Sequence, residues 1–370
     1  MSQPPRPSRS REIDQATREG DLDLQTLRTA IPPELMRPNE WRSWLTLLRV
    51  LLMVGLCLLA LSQITLTRDA SLVWKLPALV LVWGIYAPVL LGFFLVGHDC
   101  GHGSFSRFPR VNRWVGNLCM APIFNGFRTW TLTHNHHHQF TQIRGEDVDW
   151  SSHLVTAEEY KTLRWRKDFA IKVGYAIPFG IFWWILWNAM QRGSQVKPML
   201  QPSVYERNRG RLRASNLLMW GTTLAIYTAF WRYTGLWGLL KYHHIPVSLA
   251  SLLGGIMVSV GHANFNALWY DRESWSPLRG QVVSTYDYRF PKWLEYLVLN
   301  INIHIPHHVS VRIPWYNLKP AAQALKKAHP EIYQELPFRS REMAWIIRAP
   351  FIHHDPEQGT YQMVRRERVA

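Results

Sequence analysis

Two long apolar runs constrain the fold of this chain more than any other feature of its sequence. Residues 44–64 carry a single charge, Arg49, and residues 76–96 carry none. As a helix, each run is long enough to cross the roughly 30 Å of hydrocarbon in a lipid bilayer. Because the segment between them is short, we predict that the two runs form a transmembrane hairpin.

Three further apolar stretches follow, at residues 173–190, 214–231 and 245–261. Basic residues flank 173–190 on both sides, and basic loops prefer the cytoplasmic face of a membrane. The tryptophans inside this stretch are typical of a segment that lies in the membrane interface. We therefore predict that it is an interfacial helix and that the other two stretches cross the membrane. The alternative is that 173–190 crosses and a neighbouring stretch does not.

These segments predict an all-α integral membrane protein, in which four transmembrane helices and one interfacial helix lie under a cytoplasmic helical cap. Residues 1–43 form a polar cytoplasmic N-terminal segment, residues 44–340 the membrane domain, and residues 341–370 a cytoplasmic tail. The first strongly apolar run begins after residue 43, which does not fit a signal peptide. Four crossings place both termini on the cytoplasmic side.

The net charge of +16 is compatible with a nucleic-acid surface or with a membrane surface. The sequence contains no zinc-finger or RNA-recognition pattern, and its basic residues are spread over loops beside apolar segments. We therefore predict contact with membrane lipids and no nucleic-acid partner. Three cysteines exclude a disulfide-rich secreted protein, and an aromatic content of 13% excludes a chain that is disordered throughout.

More than half of the 16 histidines fall in three short windows, His98–His102, His134–His138 and His304–His308. On a helix, a residue shares one face with the residues three and four positions further on. This spacing aligns the imidazoles of His98 and His102, of His134, His137 and His138, and of His304, His307 and His308. His136 points to the other side and is not a predicted ligand. Because a proline disfavours helix at the residue before it, the third helix is predicted to begin near Pro306, with His304 in the preceding turn.

Eight aligned imidazoles exceed the four ligands that close a structural zinc site, and they suit two metal ions with about four ligands each. Imidazole binds iron, copper, nickel and zinc, so the spacing alone does not name the metal. The three windows can share one site only if they lie on the same side of the membrane. Four crossings allow this, because two of them lie between the second and third windows and return the chain to the same side. His262, at the cytoplasmic end of the fourth predicted span, has a matching depth and is a further candidate ligand.

The three windows resemble the histidine motifs of the membrane fatty acid desaturases. The matching segments are Gly97–Phe105 (GHDCGHGSF), His134–His138 (HNHHH) and His304–Leu318 (HIPHHVSVRIPWYNL). The resemblance extends from about residue 44 to 340 and is strongest for the acyl-lipid desaturases of bacteria and plastids that insert the Δ12 double bond. The stretch from His262 to Asp287 is similar to the region before the third motif in Δ12 and ω3 enzymes.

This resemblance implies a non-haem centre of two iron ions, O2 as the oxidant, an acyl-lipid substrate and a place in a bacterial inner membrane. The implied iron ligands are His98, His102, His134, His137, His138, His304, His307 and His308, with His262 at an additional ligand position. Asn264 departs from the pattern, because Δ12 and ω3 enzymes commonly have a second histidine there. No cytochrome b5 domain is evident at either end, so we expect a separate electron donor of the ferredoxin or cytochrome b5 type.

Other residues near the windows are candidates for supporting roles. Candidates for orienting the imidazole rings are Asp99, Asn135, Glu146, Asp147 and Asp149, each of which equally fits a solvated loop residue or a helix cap. Candidates for lining an acyl channel are Phe124, Phe127, Trp130 and Trp150, each of which also fits ordinary core packing. The remaining histidines, predicted to be solvated or structural, are His153, His243, His244, His329, His353 and His354.

Three functions remain compatible with such a site. The first is insertion of a cis double bond, at the Δ12 position, into a fatty acyl chain. The second is a related di-iron hydroxylase or ketolase that acts on carotenoids or alkanes, since the same ligands would serve. The third, a membrane metal carrier, requires polar residues inside the spans, where the sequence has almost none. The Arg279-Gly280 stretch and the third histidine motif favour desaturation.

Overall fold

The computed structural model describes residues 13–14, 22–65, 72–147, 155–162, 202–338 and 351–364. The predicted interfacial helix at 173–190 lies outside these described residues, as do Asp149, Trp150 and His153. Where the chain is described, it is mostly helical.

The α-helices are numbered here in chain order. They are α1 (Leu24–Thr29), α2 (Glu40–Gln63), α3 (Leu72–His102), α4 (Pro109–Met120), α5 (Phe127–Phe140), α6 (Ala157–Thr162), α7 (Pro202–Leu239), α8 (Ile245–His262), α9 (Lys292–Leu297), α10 (Ile305–Val309) and α11 (Leu318–Ala328). Short 3-10 turns lie at Pro33–Met36, Ala121–Ile123 and Trp315–Asn317, and π-helical turns lie at Leu240–His244 and Arg279–Val283.

Among the described residues, three helical segments are long and apolar enough to cross a membrane. They are α2, α3 and the continuous stretch Pro202–His262, which contains α7 and α8. Large apolar side chains on α2, such as Leu52 and Leu56, are 60% and 64% exposed. A helix with so much exposed apolar surface is suited to a lipid environment.

The stretch Pro202–His262 reverses direction at Gly235, whose backbone angles (φ 68°, ψ −173°) are not helical. The hydroxyl of Tyr227 and Nδ1 of His244 are hydrogen-bonded at 2.7 Å. A straight helix would separate these residues by about 25 Å along its axis. Because only glycine adopts a positive φ at little cost, Gly235 permits the turn that makes α7 and α8 the two arms of a hairpin.

Two glycines allow α3 to lie close to α2 and α8. A Cβ atom at Gly92 would lie 3.1 Å from Cγ2 of Val50 on α2. A Cβ atom at Gly254 of α8 would lie 2.9 Å from Cδ1 of Leu91 on α3. Small residues at such contacts allow apolar helices to pack at short range.

The polar cap forms at the end where α3 and α8 finish. The carboxylate of Glu40, at the start of α2, accepts hydrogen bonds from the Ser106 hydroxyl (2.9 Å) and from the backbone N–H of Arg107 (3.0 Å), just beyond α3. Near the start of α7, Asn208 accepts from the guanidinium of Arg128 on α5. The starts of α2 and α7 therefore lie at the same end of the helices as the C-terminal ends of α3 and α8.

Within the described segments, five short strands complete the cap, where the sequence analysis had predicted helices alone. They are β1 (Leu268–Tyr270), β2 (Asp287–Arg289), β3 (Glu335–Pro337), β4 (Ile352–Asp355) and β5 (Thr360–Met363). Strand β5 pairs antiparallel with both β1 and β4, and β2 pairs parallel with β3. Strands of three or four residues are too short to give a clear alternating apolar pattern in the sequence.

Candidate metal centre

Nine histidines from four helices converge beneath the cap, and most of their imidazoles are buried. His98 and His102 end α3, His262 ends α8, and the others lie on α5 or at α10. The ligand nitrogens of His98, His102, His134 and His307 all lie within 4.8 Å of one another. Those of His137, His262 and His308 form a second such group. The structure therefore brings the three sequence windows and His262 to one place.

His138 and His304 complete the arrangement through their Nε2 atoms. The Nε2 atom of His138 lies 3.1 Å from Nε2 of His134 and 3.1 Å from Nε2 of His307. The Nε2 atom of His304 lies 2.8 Å from that of His262 and 3.1 Å from that of His308. His138 thus adjoins the first group, and His304 adjoins the second.

Helix α5 presents its histidines as the spacing predicted. His134, His137 and His138 are buried on the face that meets the other windows. His136 is half-buried and lies against the ring of Phe140, with ring centroids 4.6 Å apart. Asn135 is exposed. The helix therefore separates three site imidazoles from one that lies outside the site.

The short helix α10 begins at Ile305, with His304 as its N-cap and Pro306 in its first turn. One carboxylate oxygen of Asp287 accepts the backbone N–H groups of His304 (2.6 Å) and Ile305 (2.8 Å). The other oxygen accepts the Tyr333 hydroxyl. Burial raises the pKa of Asp287 to about 6. The hydrogen bonds favour the carboxylate and therefore act in the opposite direction, lowering the pKa. Asp287 therefore fixes the start of the helix that carries the third window.

Asp147 orients one imidazole directly. Nδ1 of His137 lies 2.8 Å from one carboxylate oxygen of Asp147, and the other oxygen accepts the backbone N–H of Gln142 at 2.8 Å. The proton of His137 therefore lies on Nδ1, which leaves Nε2 as the metal-binding atom. Thr285 makes a longer and weaker hydrogen bond to another ring, because its hydroxyl lies 3.4 Å from Nδ1 of His262.

Trp130 and Asp99 border the first histidine group. The Trp130 ring stacks on His134 with centroids 4.5 Å apart and planes inclined by 24°. A Cβ atom at Gly101 would lie 2.6 Å from this tryptophan ring, so glycine is required for the close contact. Asp99 lies 3.6 Å from Nδ1 of His98, too far for a hydrogen bond, and accepts the backbone N–H of Trp315 at 3.1 Å.

Burial favours the uncharged form of the histidines in the metal centre. It lowers the pKa of His134, His138, His307 and His308 well below the ordinary value, and neighbouring imidazoles lower it further. The same effect lowers the pKa of His304 to about 3. Neutral imidazoles keep a free lone pair, which is the form that binds a metal ion.

The other residues proposed to orient the rings lie elsewhere or outside the described chain. Glu146 pairs with Arg272 near the surface. Of the described residues proposed to line an acyl channel, only Trp130 has a ring contact with histidines of the metal centre. Phe127 packs against Gly116, and Phe124 lies against Tyr227.

A small, mostly apolar cavity adjoins the first histidine group. Its lining consists of Leu95, His98, Asp99, Leu299, Ile301, His307, Ile313, Trp315 and Leu318. Leu299 and Asn300 have positive φ values of 46° and 54°, a rare backbone conformation for residues other than glycine. This backbone turn places Leu299 in the cavity wall, within reach of the two histidines.

Sequence reasoning missed several charged contacts that hold the cap. Asp14 forms a buried two-point ion pair with Arg279, at 2.5 and 2.7 Å, and Arg28 donates to the carbonyl of Val309 at 2.8 Å. The partners are far apart in sequence, so no local pattern could reveal them. The resemblance had included Arg279, Thr285 and Asp287 without giving them a role.

The histidines predicted to be structural lie away from the metal centre where they are described. Nε2 of His243 bonds to the carbonyl of Pro122 at 2.9 Å, and His244 bonds to Tyr227 as described above. His354 lies 3.2 Å from a carboxylate oxygen of Asp271, and His329 lies 3.5 Å from Glu331.

Comparison with known proteins identifies the family of this chain. The profile of the fatty acid desaturase family matches residues 74–340. An sn-1 oleoyl-lipid 12-desaturase from Arthrospira platensis is 30% identical over 330 residues, 88% of this chain and 88% of that protein. A chloroplastic omega-6 fatty acid desaturase from Glycine max is 28% identical over 332 residues, 88% of this chain and 72% of that protein. An sn-1 acyl-lipid omega-3 desaturase (ferredoxin) from Nostoc sp. (strain 36) is 25% identical over 338 residues, 90% of this chain and 88% of that protein. The match covers most of the chain and includes all three histidine windows: this protein belongs to the fatty acid desaturase family.

Proposed function

We propose that this protein is a membrane acyl-lipid desaturase that inserts a cis double bond at the Δ12 position of a fatty acyl chain. The observation that carries the proposal is the pair of buried histidine groups beside an apolar cavity. The names of the relatives support both the lipid substrate and the position of the double bond.

We assign two iron ions to this centre. The proposed ligands are His98, His102, His134, His137, His138, His262, His304, His307 and His308. Nitrogens bound to one ion at about 2.1 Å lie no more than roughly 4.2 Å apart, which is close to the spread within each group. The Nε2 atoms of His98 and His102 are buried without a hydrogen-bond partner, as expected of nitrogens that serve as metal ligands.

When bound, the metal pair supplies the activation of O2 that removal of hydrogen from an unactivated CH2 group requires. The protein supplies position and a dry environment. In this proposal the apolar residues around the cavity, including Leu95 and Leu299, line the approach of the acyl chain to His98 and His307 and exclude water. Overall, two hydrogens leave adjacent carbons, and O2 takes them up with two electrons and two protons to give two waters.

We also propose a four-crossing topology. In this proposal α2, α3, α7 and α8 each cross once, with the reversal at Gly235 joining the last two. The histidines then lie on one face, which the basic flanking loops assign to the cytoplasm of a bacterial inner membrane. The segment 173–190 remains a proposed interfacial helix.

A separate protein delivers the two electrons in this proposal. The relative from Nostoc carries ferredoxin in its name, which supports a donor of that class over cytochrome b5.

Expression in a host that lacks polyunsaturated lipids tests the proposal. Gas chromatography of the acyl chains is expected to find a new diene, formed from a monounsaturated chain. His307→Ala removes a proposed ligand and is expected to abolish the diene. His136→Ala, on the other face of α5, is the matched control and is expected to retain it. Unchanged acyl chains together with oxygenated carotenoids would contradict the proposal and indicate a hydroxylase or ketolase.

A further inference from the structure

Arg49 is the only charge in the apolar run at 44–64, and the metal chemistry gives it no role. Its guanidinium carbon lies 3.8 Å from the centre of the Tyr296 ring and 5.2 Å from that of Trp315. Nη2 donates to the carbonyl of Tyr296 at 3.3 Å. Nε is buried and has no hydrogen-bond partner among the residues that the structure describes. Arg49 is therefore held against two aromatic rings, which meet edge to face beside it.

Within the described parts of the chain, no carboxylate lies within 4.0 Å of the Arg49 guanidinium, so its charge has no anionic partner there. Glu295, the acidic residue on the neighbouring α9, is already engaged. Its carboxylate lies 2.7 Å from Nζ of Lys319 and accepts from the backbone N–H of Phe290 and the side chain of Asn302. A cation beside an apolar surface is costly unless it meets an anion, so the position calls for an anionic partner from outside the chain.

The cavity beside the histidines lies next to Arg49, because Trp315 belongs to both. Its ring lies under the guanidinium and also lines the cavity. The indole N–H donates to the Thr46 hydroxyl at 3.1 Å, one helical turn before Arg49. The tryptophan therefore has a fixed position between the cation and the cavity.

Exposed aromatic side chains set the depth of Arg49 in the membrane. Trp293 is 61% exposed and Tyr296 is 52% exposed, both on α9. Trp44, five residues before Arg49 on α2, is 44% exposed. Tryptophan and tyrosine collect at the level of the lipid headgroups. Arg49 therefore lies where the phosphate of a phospholipid would be found.

We propose that Arg49 is the headgroup subsite of this enzyme and binds the phosphate of a phosphoglycerolipid whose acyl chain enters the adjoining cavity. A guanidinium presents several N–H donors in one plane, which matches the oxygens of a phosphate. Tyr296 supports the flat face of the group. This inference rests on the proposed function, because it names the carrier of the acyl chain.

The test uses the purified full chain in vesicles with its electron donor, and two substrates that differ only in the headgroup. These are dioleoyl phosphatidylglycerol and an uncharged dioleoyl galactolipid. Arg49→Gln is expected to raise KM for the phospholipid about tenfold with little change in kcat, since a charge-assisted hydrogen bond contributes about that factor. KM for the galactolipid is expected to stay the same. Arg49→Lys, which keeps the charge, is expected to recover part of the loss.

Arg42→Gln is the matched control, because Arg42 lies on the same helix and stacks on Tyr316 instead. It removes the same charge and is expected to leave both KM values unchanged. Equal KM changes for both lipids in Arg49→Gln, or an equal effect of Arg42→Gln, would overturn the subsite.

A binding measurement separates this inference from the proposed function. Native mass spectrometry of the protein from micelles with equal amounts of both lipids is expected to show phosphatidylglycerol retained by the wild type and lost in Arg49→Gln. If no lipid is desaturated but this difference persists, the proposed function fails and the phosphate subsite stands. If the wild type desaturates lipid but retains both lipids equally, the subsite fails and the function stands.

Discussion

A methyl group added at Gly261 gives a sharp test of how tightly the second histidine group is built. Gly261 lies in α8, directly before His262. Its Cβ atom would lie 2.9 Å from Cδ2 of His304 and 3.6 Å from the carbonyl oxygen of Tyr286. Ordinary contacts between carbon atoms begin near 3.5 Å, so the His304 ring would have to move by about half an ångström.

This displacement is large for a metal ligand, because ligand distances in metal sites are held within about 0.2 Å. The fold itself should tolerate the change. Alanine is favoured over glycine within a helix by about 1 kcal/mol, which offsets much of an overpacking cost of about 1–3 kcal/mol. Gly261→Ala is therefore expected to reduce metal affinity about 10–100-fold, as disturbed ligand orientation does in other metal sites.

The assay is the iron content of the purified protein at limiting iron, together with its thermal unfolding temperature and its yield of diene. Gly254→Ala is the matched control, because its Cβ would also lie 2.9 Å from a neighbour, the Cδ1 atom of Leu91. That atom ends a flexible side chain, which can rotate away, so full iron content is expected. Equal iron content in Gly261→Ala and the wild type would refute the reasoning, and so would an equal loss in the control.

Three further predictions follow from individual contacts. Asp147→Ala removes the hydrogen bond to Nδ1 of His137 and is expected to weaken metal binding about 10–100-fold. Competition with a chelator measures this affinity. An unchanged affinity would show that another group fixes the His137 ring. Asp14→Ala leaves Arg279 buried without its carboxylate partner and is expected to destabilise the cap by about 3–5 kcal/mol. Chemical unfolding in detergent measures this change. A loss of stability below about 1 kcal/mol would mean that the ion pair is dispensable. His136→Ala is expected to leave the iron content unchanged, and a loss of iron would place this residue in the site.

The histidine spacing predicted the site well because it is a local property of the helix. His134, His137 and His138 share a face through spacing alone, and the structure puts them together. Pro306 also marked the start of its helix, since a proline acts on its immediate neighbours. In each case the information lay within one or two turns of chain.

Contacts between distant segments could not be predicted in this way. Asp287 holds α10 from the end of a loop and the start of a short strand, and Asp14 reaches Arg279 across most of the chain. A carboxylate looks the same in a sequence whether it is solvated or caps a buried helix. The residues around the cavity, such as Leu299 and Ile313, likewise come from separate elements, so no local sequence pattern groups them.

The apolar runs predicted some of the long helices and not the full extent of others. They located α2 and α3, whereas the stretches at 214–231 and 245–261 belong to one helical region, Pro202–His262. The polar first part of α7 carries no apolar signal, so its helix began earlier than hydropathy indicated. The turn at Gly235 lies between the two stretches. Its non-helical backbone angles and the contact of Tyr227 with His244 identify it as a reversal, which the sequence does not mark.

The metal content of the protein, purified in detergent without added metal, tests the central claim most directly. Elemental analysis against protein concentration is expected to find two iron ions per chain. This follows from the two groups of buried imidazoles and the place of the chain in the fatty acid desaturase family. One zinc ion per chain with no iron would contradict the account, because zinc does not undergo the redox chemistry that desaturation requires.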